Sequence, residues 1–120
     1  MQEKILVVED DRVALKSVSQ FLTGEGYDVE RASNGSEALK LLEEEKFDLV
    51  LSDVIMPGID GQQILSCVRS RFASTRIILM SGNFTLAPST IFYQRANGYV
   101  LKPIDLEKLL EKIKDALKTD

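Results

Sequence analysis

Polar side chains follow four short apolar runs of this sequence, at the point where each run ends. They come after residues 5–8, 49–51, 77–80 and 99–101, and they are Glu9, Asp10 and Asp11, then Asp53, Ser81 and Lys102. The carboxyl ends of parallel strands lie at one edge of an open α/β sheet, and ligands bind there. If the runs are parallel strands, these side chains meet at one site.

The acids of this group predict a divalent cation. Unit like charges about 4 Å apart repel by about 4 kcal/mol at an effective dielectric constant of about 20. The carboxylates of Glu9, Asp10 and Asp53 in one crevice would therefore be costly unless cations neutralise them or one of them holds a proton. Lys102 supplies one positive charge, and a divalent cation supplies two more. All candidate ligand atoms are oxygens, which favours Mg²⁺ over Ca²⁺ or Mn²⁺. The expected ligands are two carboxylates, a backbone carbonyl and a carboxylate acting through water: Asp10, Asp53, Ile55 and Glu9.

Asp53 is the candidate nucleophile of this site. A carboxylate can attack phosphorus when a metal ion and an ammonium group neutralise the transferred oxygens. Asp53 stands between the acidic pair and Lys102, and Ser81 can donate a hydrogen bond to a phosphoryl oxygen. Asp at a strand end is also a common turn residue or helix cap, and Asp11 stands where a cap of the first helix belongs. Capping does not explain why these residues collect at one pole of the sheet.

The composition is typical of a small globular domain. The chain has 120 residues, of which 44% are apolar and 28% charged, and its net charge of −4 argues against direct nucleic-acid binding. It has no histidine, which excludes histidine acid–base catalysis and a phosphohistidine carried by the chain itself. Cys67 is the lone cysteine, and the sequence shows neither a membrane-spanning run nor a signal peptide. We expect a cytoplasmic protein.

The apolar runs alternate with amphipathic segments, which predicts strands alternating with helices. Continuous apolar runs are typical of parallel strands covered on both faces, whereas residues 27–32 alternate and predict an edge strand. Ser36, Asp60 and Asp105 are the predicted N-caps of the second, third and last helices. The predicted buried stripe of the first helix consists of Ala14, Val18, Phe21 and Leu22. This pattern favours a doubly wound sheet of five parallel strands with five helices.

The ordered set of motifs resembles the receiver (CheY-like) domain of two-component response regulators. The resemblance covers residues 3–118. The motifs that carry it are residues 5–11, residues 48–58 with Asp60 and Gly61, Ser81 with Gly82, and residues 98–103. It implies one receiver domain with a flavodoxin-like sheet in the strand order 2-1-3-4-5. This domain either stands alone or forms the N-terminal part of a longer regulator.

The resemblance implies a phosphorylation-dependent signalling switch. Asp53 would accept a phosphoryl group from a phosphohistidine of a sensor histidine kinase or phosphotransfer protein, with Mg²⁺ bound and Lys102 pairing the phosphoryl group. Ser81 would move toward the phosphate while Tyr99 changes rotamer, which alters the surface of the fourth helix, fifth strand and fifth helix. That surface would control an output domain or protein partner, or form a homodimer. The chain would catalyse only its own phosphorylation and slow dephosphorylation.

Three further residues of the family pattern would support the site: Asp11, Gly82 and Pro103, the last after a cis peptide bond. The fourth helix departs from the family pattern, because residues 84–93 are poor in charge where relatives carry a charged helix. Two interpretations remain open, a short irregular helix over the core or an apolar partner surface. The surface would consist of Ile91, Phe92 and Tyr93.

Three alternatives share part of this pattern. An aspartyl hydrolase of the haloacid dehalogenase type would carry an Asp-x-Asp signature with its nucleophile after the first strand, not the third. A flavodoxin-type electron carrier needs a glycine- and hydroxyl-rich phosphate loop there, where Glu9, Asp10 and Asp11 would repel a flavin phosphate. A degenerate receiver that only binds partners is the third alternative, and the intact acids with Ser81 and Lys102 argue against it.

Overall fold

Five strands form a single parallel sheet in this computed structural model, which describes residues 2–82 and 95–118. The strands are β1 (Lys4–Val8), β2 (Asp28–Ala32), β3 (Leu49–Asp53), β4 (Arg76–Ser81) and β5 (Gly98–Leu101). Their order is β2-β1-β3-β4-β5, and every neighbouring pair is parallel. The predicted flavodoxin-like sheet is therefore confirmed, and β2 lies at an edge as its alternating pattern indicated.

Four helices cover the two faces of the sheet in the described part of the chain. They are α1 (Arg12–Gly24), α2 (Gly35–Glu44), α3 (Gly61–Arg71) and α4 (Leu106–Lys118), so that α4 corresponds to the predicted fifth helix. The predicted fourth helix, with Ile91, Phe92 and Tyr93, falls in residues 83–94 and lies outside the described residues. Across residues 2–82 and 95–118, no helix combines the length and apolar character that crossing a membrane requires.

The central strands send alternate side chains into two separate cores. In β1, Leu6 and Val8 enter the core formed with α2 and α3, whereas Ile5 and Val7 enter the core formed with α1 and α4. All four side chains are fully buried, and each Å² of apolar surface removed from water contributes roughly 25 cal/mol. The run is continuously apolar because a strand covered on both faces has no side that contacts water.

Short acidic side chains begin three of the helices. Asp11, Asp60 and Asp105 each accept hydrogen bonds from backbone N–H groups of the turn that follows, and these donors have no partner inside a helix. Asp60 also forms a capping box, since the side chain of Gln63 accepts from the Asp60 N–H over 3.0 Å. The predicted caps Asp60 and Asp105 are confirmed, and Asp11 is confirmed as the cap of α1.

The predicted N-cap of α2, Ser36, is wrong. The cap is Asn34, whose side-chain oxygen accepts from the Glu37 N–H over 2.8 Å. Both residue types cap helices well, so the local sequence does not decide between them. The tertiary structure decides through Gly35, where a Cβ atom would lie 2.2 Å from the carbonyl oxygen of Ile59. The helix therefore begins at this glycine, directly against the loop that follows β3.

Candidate functional site

Lys102 brings the ends of three strands together. It follows β5, and its Nζ donates hydrogen bonds to Glu9 Oε2 after β1 and to Asp53 Oδ2 at the end of β3, both over 2.9 Å. These two partners lie 93 and 49 positions away along the chain. Both carboxylates are buried, with 2% of Glu9 and 6% of Asp53 exposed. The structure thus collects three of the predicted site residues at one pole of the sheet.

Asp10 completes a cluster of carboxylates at this pole. One oxygen atom from each of Glu9, Asp10 and Asp53 lies within 4.8 Å of the others, and Asp10 is open to solvent. Three carboxylates and the one ammonium group of Lys102 leave two negative charges uncompensated. A divalent cation would neutralise them, and a donor set of oxygen atoms suits Mg²⁺. The residues present therefore fit the ion that the sequence predicts.

Burial and hydrogen bonding act in opposite directions on the charges of the site. Burial raises the pKa of Glu9 and the charge of Asp53 raises it further, while hydrogen bonds from Lys102 and from the Asp11 N–H oppose the shift. Burial lowers the pKa of Lys102, but its hydrogen bonds to Asp53 and Glu9 outweigh burial, and this pKa is raised overall. Lys102 is therefore a cation at neutral pH and supplies the fixed positive charge of the site.

The loop after β3 is held by close backbone contacts at both ends. The Gly61 N–H donates to Val54 O over 2.9 Å, and a Cβ atom on Gly61 would lie 2.4 Å from the carbonyl oxygen of Asp53. The contact between Gly35 and Ile59 holds the far end of the same loop. Because side chains do not fit at either glycine, the backbone next to Asp53 is fixed by the starts of α2 and α3.

Three predicted residues pack around the backbone and side chain of Lys102. Ser81 is buried at the end of β4, and its carbonyl oxygen accepts from the Lys102 N–H over 2.8 Å. A Cβ atom on Gly82 would lie 3.5 Å from Lys102 Cβ, which is an ordinary van der Waals distance, so Gly82 lies directly beside the lysine side chain. The peptide bond between Lys102 and Pro103 is cis, as the family pattern implies. The proposed action of Ser81 on a phosphoryl group stays a prediction.

The remaining predicted residues lie at the borders of the site. The Asp11 N–H donates to Glu9 Oε1 over 3.1 Å, so this helix cap also holds a site carboxylate. Ile55 lies in the loop after β3, where its role as a carbonyl ligand stays a prediction. Tyr99 is partly buried on β5, with Lys112 Nζ 5.8 Å from the centre of its ring. Its predicted role in switching is likewise not tested by this arrangement.

Two features near the site were missed by sequence reasoning. The first feature is the exposure of two large apolar side chains, Val13 and Ile55, which have 79% and 59% of their surface exposed. Val13 lies shortly after the acidic residues that follow β1, and Ile55 lies shortly after Asp53. The signal for Val13 was an apolar residue off the predicted stripe of α1. The second feature is Gly35, for which the signal was an Asn-Gly pair directly after β2.

Comparison with known proteins identifies the family. The sequence model described as the response regulator receiver domain matches residues 5–114. The probable transcriptional regulator ycf29 of Porphyra purpurea is 34% identical over 123 residues, which cover 100% of this chain and 59% of that protein. The response regulator protein FleR of Pseudomonas aeruginosa is 34% identical over 114 residues, which cover 94% of this chain and 24% of that protein. The chain thus spans less than two thirds of either relative.

Solved structures agree with the sequence comparison. A CheY-like response regulator receiver domain protein from Methanospirillum hungatei is 36% identical with a TM-score of 0.88, over 98% of this chain and 95% of that one. The response regulator protein TrrA of Thermotoga maritima, solved in complex with Mg(2+)-BeF, is 32% identical with a TM-score of 0.88, over 96% of this chain and 99% of that one. The chain belongs to the receiver domain family of two-component response regulators.

Proposed function

We propose that this receiver domain is a phosphorylation-dependent switch in which Asp53 accepts a phosphoryl group from a phosphohistidine of a sensor histidine kinase or histidine phosphotransfer protein. One observation carries the proposal: the amine of Lys102 bonds to Glu9 and Asp53 together at the acidic pole. Transfer of a phosphoryl group to a carboxylate requires fixed positive charge at this place. The 120 residues contain no histidine, so the phosphohistidine of the donor lies outside this domain.

Asp53 supplies the attacking oxygen of the proposed reaction. The bond between this oxygen and phosphorus forms as the N–P bond of the donor breaks, and the released imidazole nitrogen takes up a proton from solvent. Lys102 Nζ is already 2.9 Å from Asp53 Oδ2. Its amine therefore needs only a short displacement to contact the phosphoryl oxygens once they are attached.

Mg²⁺ is the proposed cofactor, and this chain's oxygen atoms would hold it. The proposed ligands are Asp10, Asp53 and the Ile55 carbonyl, with Glu9 acting through a water molecule. When bound, the ion helps to neutralise the oxygens of the transferred group. The close spacing of the carboxylates supports this assignment, as does the Mg(2+)-BeF complex in which TrrA was solved.

The proposed output surface includes β5 and α4. Ser81 would turn its hydroxyl toward the phosphoryl group, and Tyr99 would then change rotamer within this surface. Leu101 is exposed here, and Lys112 contacts the ring of Tyr99. We infer that the surface controls an output domain or a protein partner and that it can also join two copies of the domain. The domain itself turns over no external substrate and catalyses only its own phosphorylation and slow dephosphorylation.

Labelling with small phosphodonors tests this function. In the presence of Mg²⁺, acetyl phosphate or phosphoramidate should add one phosphoryl group, seen by intact mass spectrometry as an acid-stable and base-labile mass increase. Asp53→Asn should take no label. Asp48→Asn, at the exposed opposite end of β3, is the matched control and should be labelled normally. A wild-type chain that neither donor labels, or a labelled Asp53→Asn variant, contradicts the proposal.

A further inference from the structure

Asn97 joins β5 to β4 at the pole opposite to the acidic site. Its backbone N–H donates to Ile77 O over 2.8 Å, and its side-chain Oδ1 accepts from the Ile77 N–H over 2.9 Å. One residue thus pairs with both backbone groups of Ile77, using its main chain for one bond and its side chain for the other. The strand β5 begins at the next residue, Gly98.

Arg69 on α3 also forms hydrogen bonds with the segment before β5, residues 95–97. Its Nη2 donates to Asn97 Oδ1 over 2.8 Å, and its Nε donates to Arg95 O over 2.6 Å. The N–H groups of a planar guanidinium point in fixed directions, so the two bonds together restrict the position and the orientation of residues 95–97. The Asn97 oxygen accepts from α3 and from β4 at the same time.

No ion pair in the described part of the chain accounts for the position of Arg69. Among residues 2–82 and 95–118, none of the salt bridges includes this side chain. Burial lowers the pKa of Arg69, and the positive charges of Arg95 and Arg76 lower it further. These surroundings therefore disfavour the positive charge of the Arg69 guanidinium group. The favourable interactions of Arg69 at this position are its two hydrogen bonds to residues 95–97.

The strand β5 is short and pairs with a neighbour on one side only. It contains four residues and pairs only with β4 in the described sheet. Its first residue, Gly98, has no side chain to pack, and at its other end the Lys102 N–H bonds to Ser81 O. A shift by one residue would move Lys102 by about 3.3 Å and turn the side chains of β5 to the opposite faces. The bonds of Asn97 to Ile77 therefore define the register of β5 at its start, as the bond from Lys102 to Ser81 does at its end.

We propose that Arg69 and Asn97 are positioning residues that fix the register of β5 and thereby set the distance from the Lys102 amine to Asp53. The inference rests on the proposed function, because that distance matters for a phosphoryl group. The backbone that carries the carboxylates of the site belongs to the ends of β1 and β3 in the middle of the sheet, and neither strand pairs with β5. Loss of the contact between Arg69 and Asn97 should therefore impair phosphoryl transfer and spare the binding of Mg²⁺.

Two measurements on the full chain separate these effects: the Mg²⁺ dissociation constant by calorimetry, and the rate of phosphorylation by acetyl phosphate at saturating Mg²⁺. Asn97→Ala and Arg69→Ala should each slow phosphorylation about tenfold, while the Mg²⁺ dissociation constant changes by less than about twofold. Asn97→Asp retains the acceptor oxygen and should retain most of the rate. Arg69→Lys cannot donate two bonds in fixed directions and should remain slow.

Thr75→Ala is the matched control for a loss of stability alone. The Thr75 hydroxyl donates to Phe47 O over 2.9 Å, so it ties the start of β4 to the segment before β3 and does not contact β5. Thr75→Ala should lower the melting temperature while leaving the phosphorylation rate near that of the wild type. If it slows phosphorylation as much as Asn97→Ala, or if Mg²⁺ affinity falls in parallel with the rate, the two residues are merely structural and the proposal is overturned.

Chemical acetylation of Lys102 without Mg²⁺ tests the positioning independently of phosphorylation. The amine bonded to Glu9 and Asp53 should react slowly with acetic anhydride, compared by mass spectrometry with the exposed Lys16. Asn97→Ala should raise the reactivity of Lys102 several-fold relative to Lys16, and an unchanged ratio overturns the inference. If this ratio rises although the wild type takes no phosphoryl label, the proposed function fails and the positioning of Lys102 stands.

Discussion

The two ends of the parallel strands use their polar groups in different ways. We call the end with Glu9, Asp53 and Lys102 the carboxyl pole, and the opposite end, with Asp48 and Thr75, the amino pole. At the carboxyl pole, two carboxylates bond to the ammonium group of Lys102 and the carboxylate of Asp10 lies beside them, so two negative charges stay uncompensated by described residues. At the amino pole, polar side chains bond to the main chain. Asp48 Oδ2 accepts from the Lys4 N–H over 2.7 Å, and the Thr75 hydroxyl donates to Phe47 O over 2.9 Å.

This difference predicts that the fold separates stability from cation binding. The amino pole ties neighbouring segments together with neutral and charged hydrogen bonds, and the carboxyl pole keeps like charges close enough to hold a cation. Binding of Mg²⁺ to the native state alone should stabilise it. Substitutions at the carboxyl pole should therefore change the free energy of unfolding by an amount that depends on Mg²⁺. Substitutions elsewhere should change it by the same amount with and without the ion.

Lys102→Met should give the largest effect, because it leaves Glu9 and Asp53 buried without their cation. Breaking a fully buried pair costs about 3–5 kcal/mol. Since 30% of the Lys102 side chain is exposed, we expect the free energy of unfolding to fall by about 2 kcal/mol without Mg²⁺. Mg²⁺ should recover most of this loss. Urea denaturation with and without the ion measures both values.

The amino-pole counterpart of this variant is Lys4→Met, which removes the ion pair with Glu45. We expect a smaller loss of stability that is the same in both conditions, since partly exposed ion pairs contribute little. A loss in Lys102→Met that Mg²⁺ does not reduce would contradict the separation of the two poles.

Gly61→Ala should destabilise the chain by about 2 kcal/mol, because the new Cβ meets rigid backbone rather than a flexible side chain. The added atom would lie 2.4 Å from Asp53 O, so the backbone next to Asp53 must shift and Mg²⁺ affinity should also fall. Gly24→Ala is the matched control, because nothing lies within 4 Å of its added Cβ. It should stabilise the chain by about 0.5 kcal/mol. It should leave the Mg²⁺ affinity, measured by calorimetry, unchanged.

Asp10→Asn should raise stability without Mg²⁺ by about 1 kcal/mol, since it removes one of the repelling charges. It should also abolish most of the rise in melting temperature that Mg²⁺ causes in the wild type. Asp28→Asn, on the exposed edge strand β2, should change neither quantity. A full Mg²⁺-dependent rise in Asp10→Asn would argue against the carboxylate as a ligand.

Ser19→Ala should have the smallest effect, and it should not depend on Mg²⁺. The Ser19 hydroxyl is fully buried in α1 and has no hydrogen-bond partner among the described residues. Removing a buried unsatisfied hydroxyl should raise the free energy of unfolding by up to about 1 kcal/mol. The exposed Ser17→Ala serves as the control in the same urea experiment. A marked destabilisation in Ser19→Ala would show that its hydroxyl is hydrogen-bonded after all.

Local patterns predicted the strands and three helix caps, and α1 shows where such patterns fail. Its predicted stripe included Ala14 and Phe21, but its buried residues include Leu15 and Ser19 in their place. The helix packs on β1, on β2 and on α4. The buried face of α1 is therefore determined by its packing against three neighbouring elements. The polar Ser19 is buried because it lies on that face, although its hydroxyl group does not favour burial.

The amino-acid sequence by itself determined which residues gather at the acidic pole, because buried strands are read from their apolar runs and parallel strands end at the same edge. It also predicted the kind of ion that would fit the site, because ligand chemistry depends on residue type. Only the tertiary structure decided that Lys102 contacts Glu9 and Asp53 together, and that Arg69 meets Asn97 at the far end of the sheet. Those contacts join residues distant in the chain, and the direction of each side chain depends on the packing of elements that no local pattern describes.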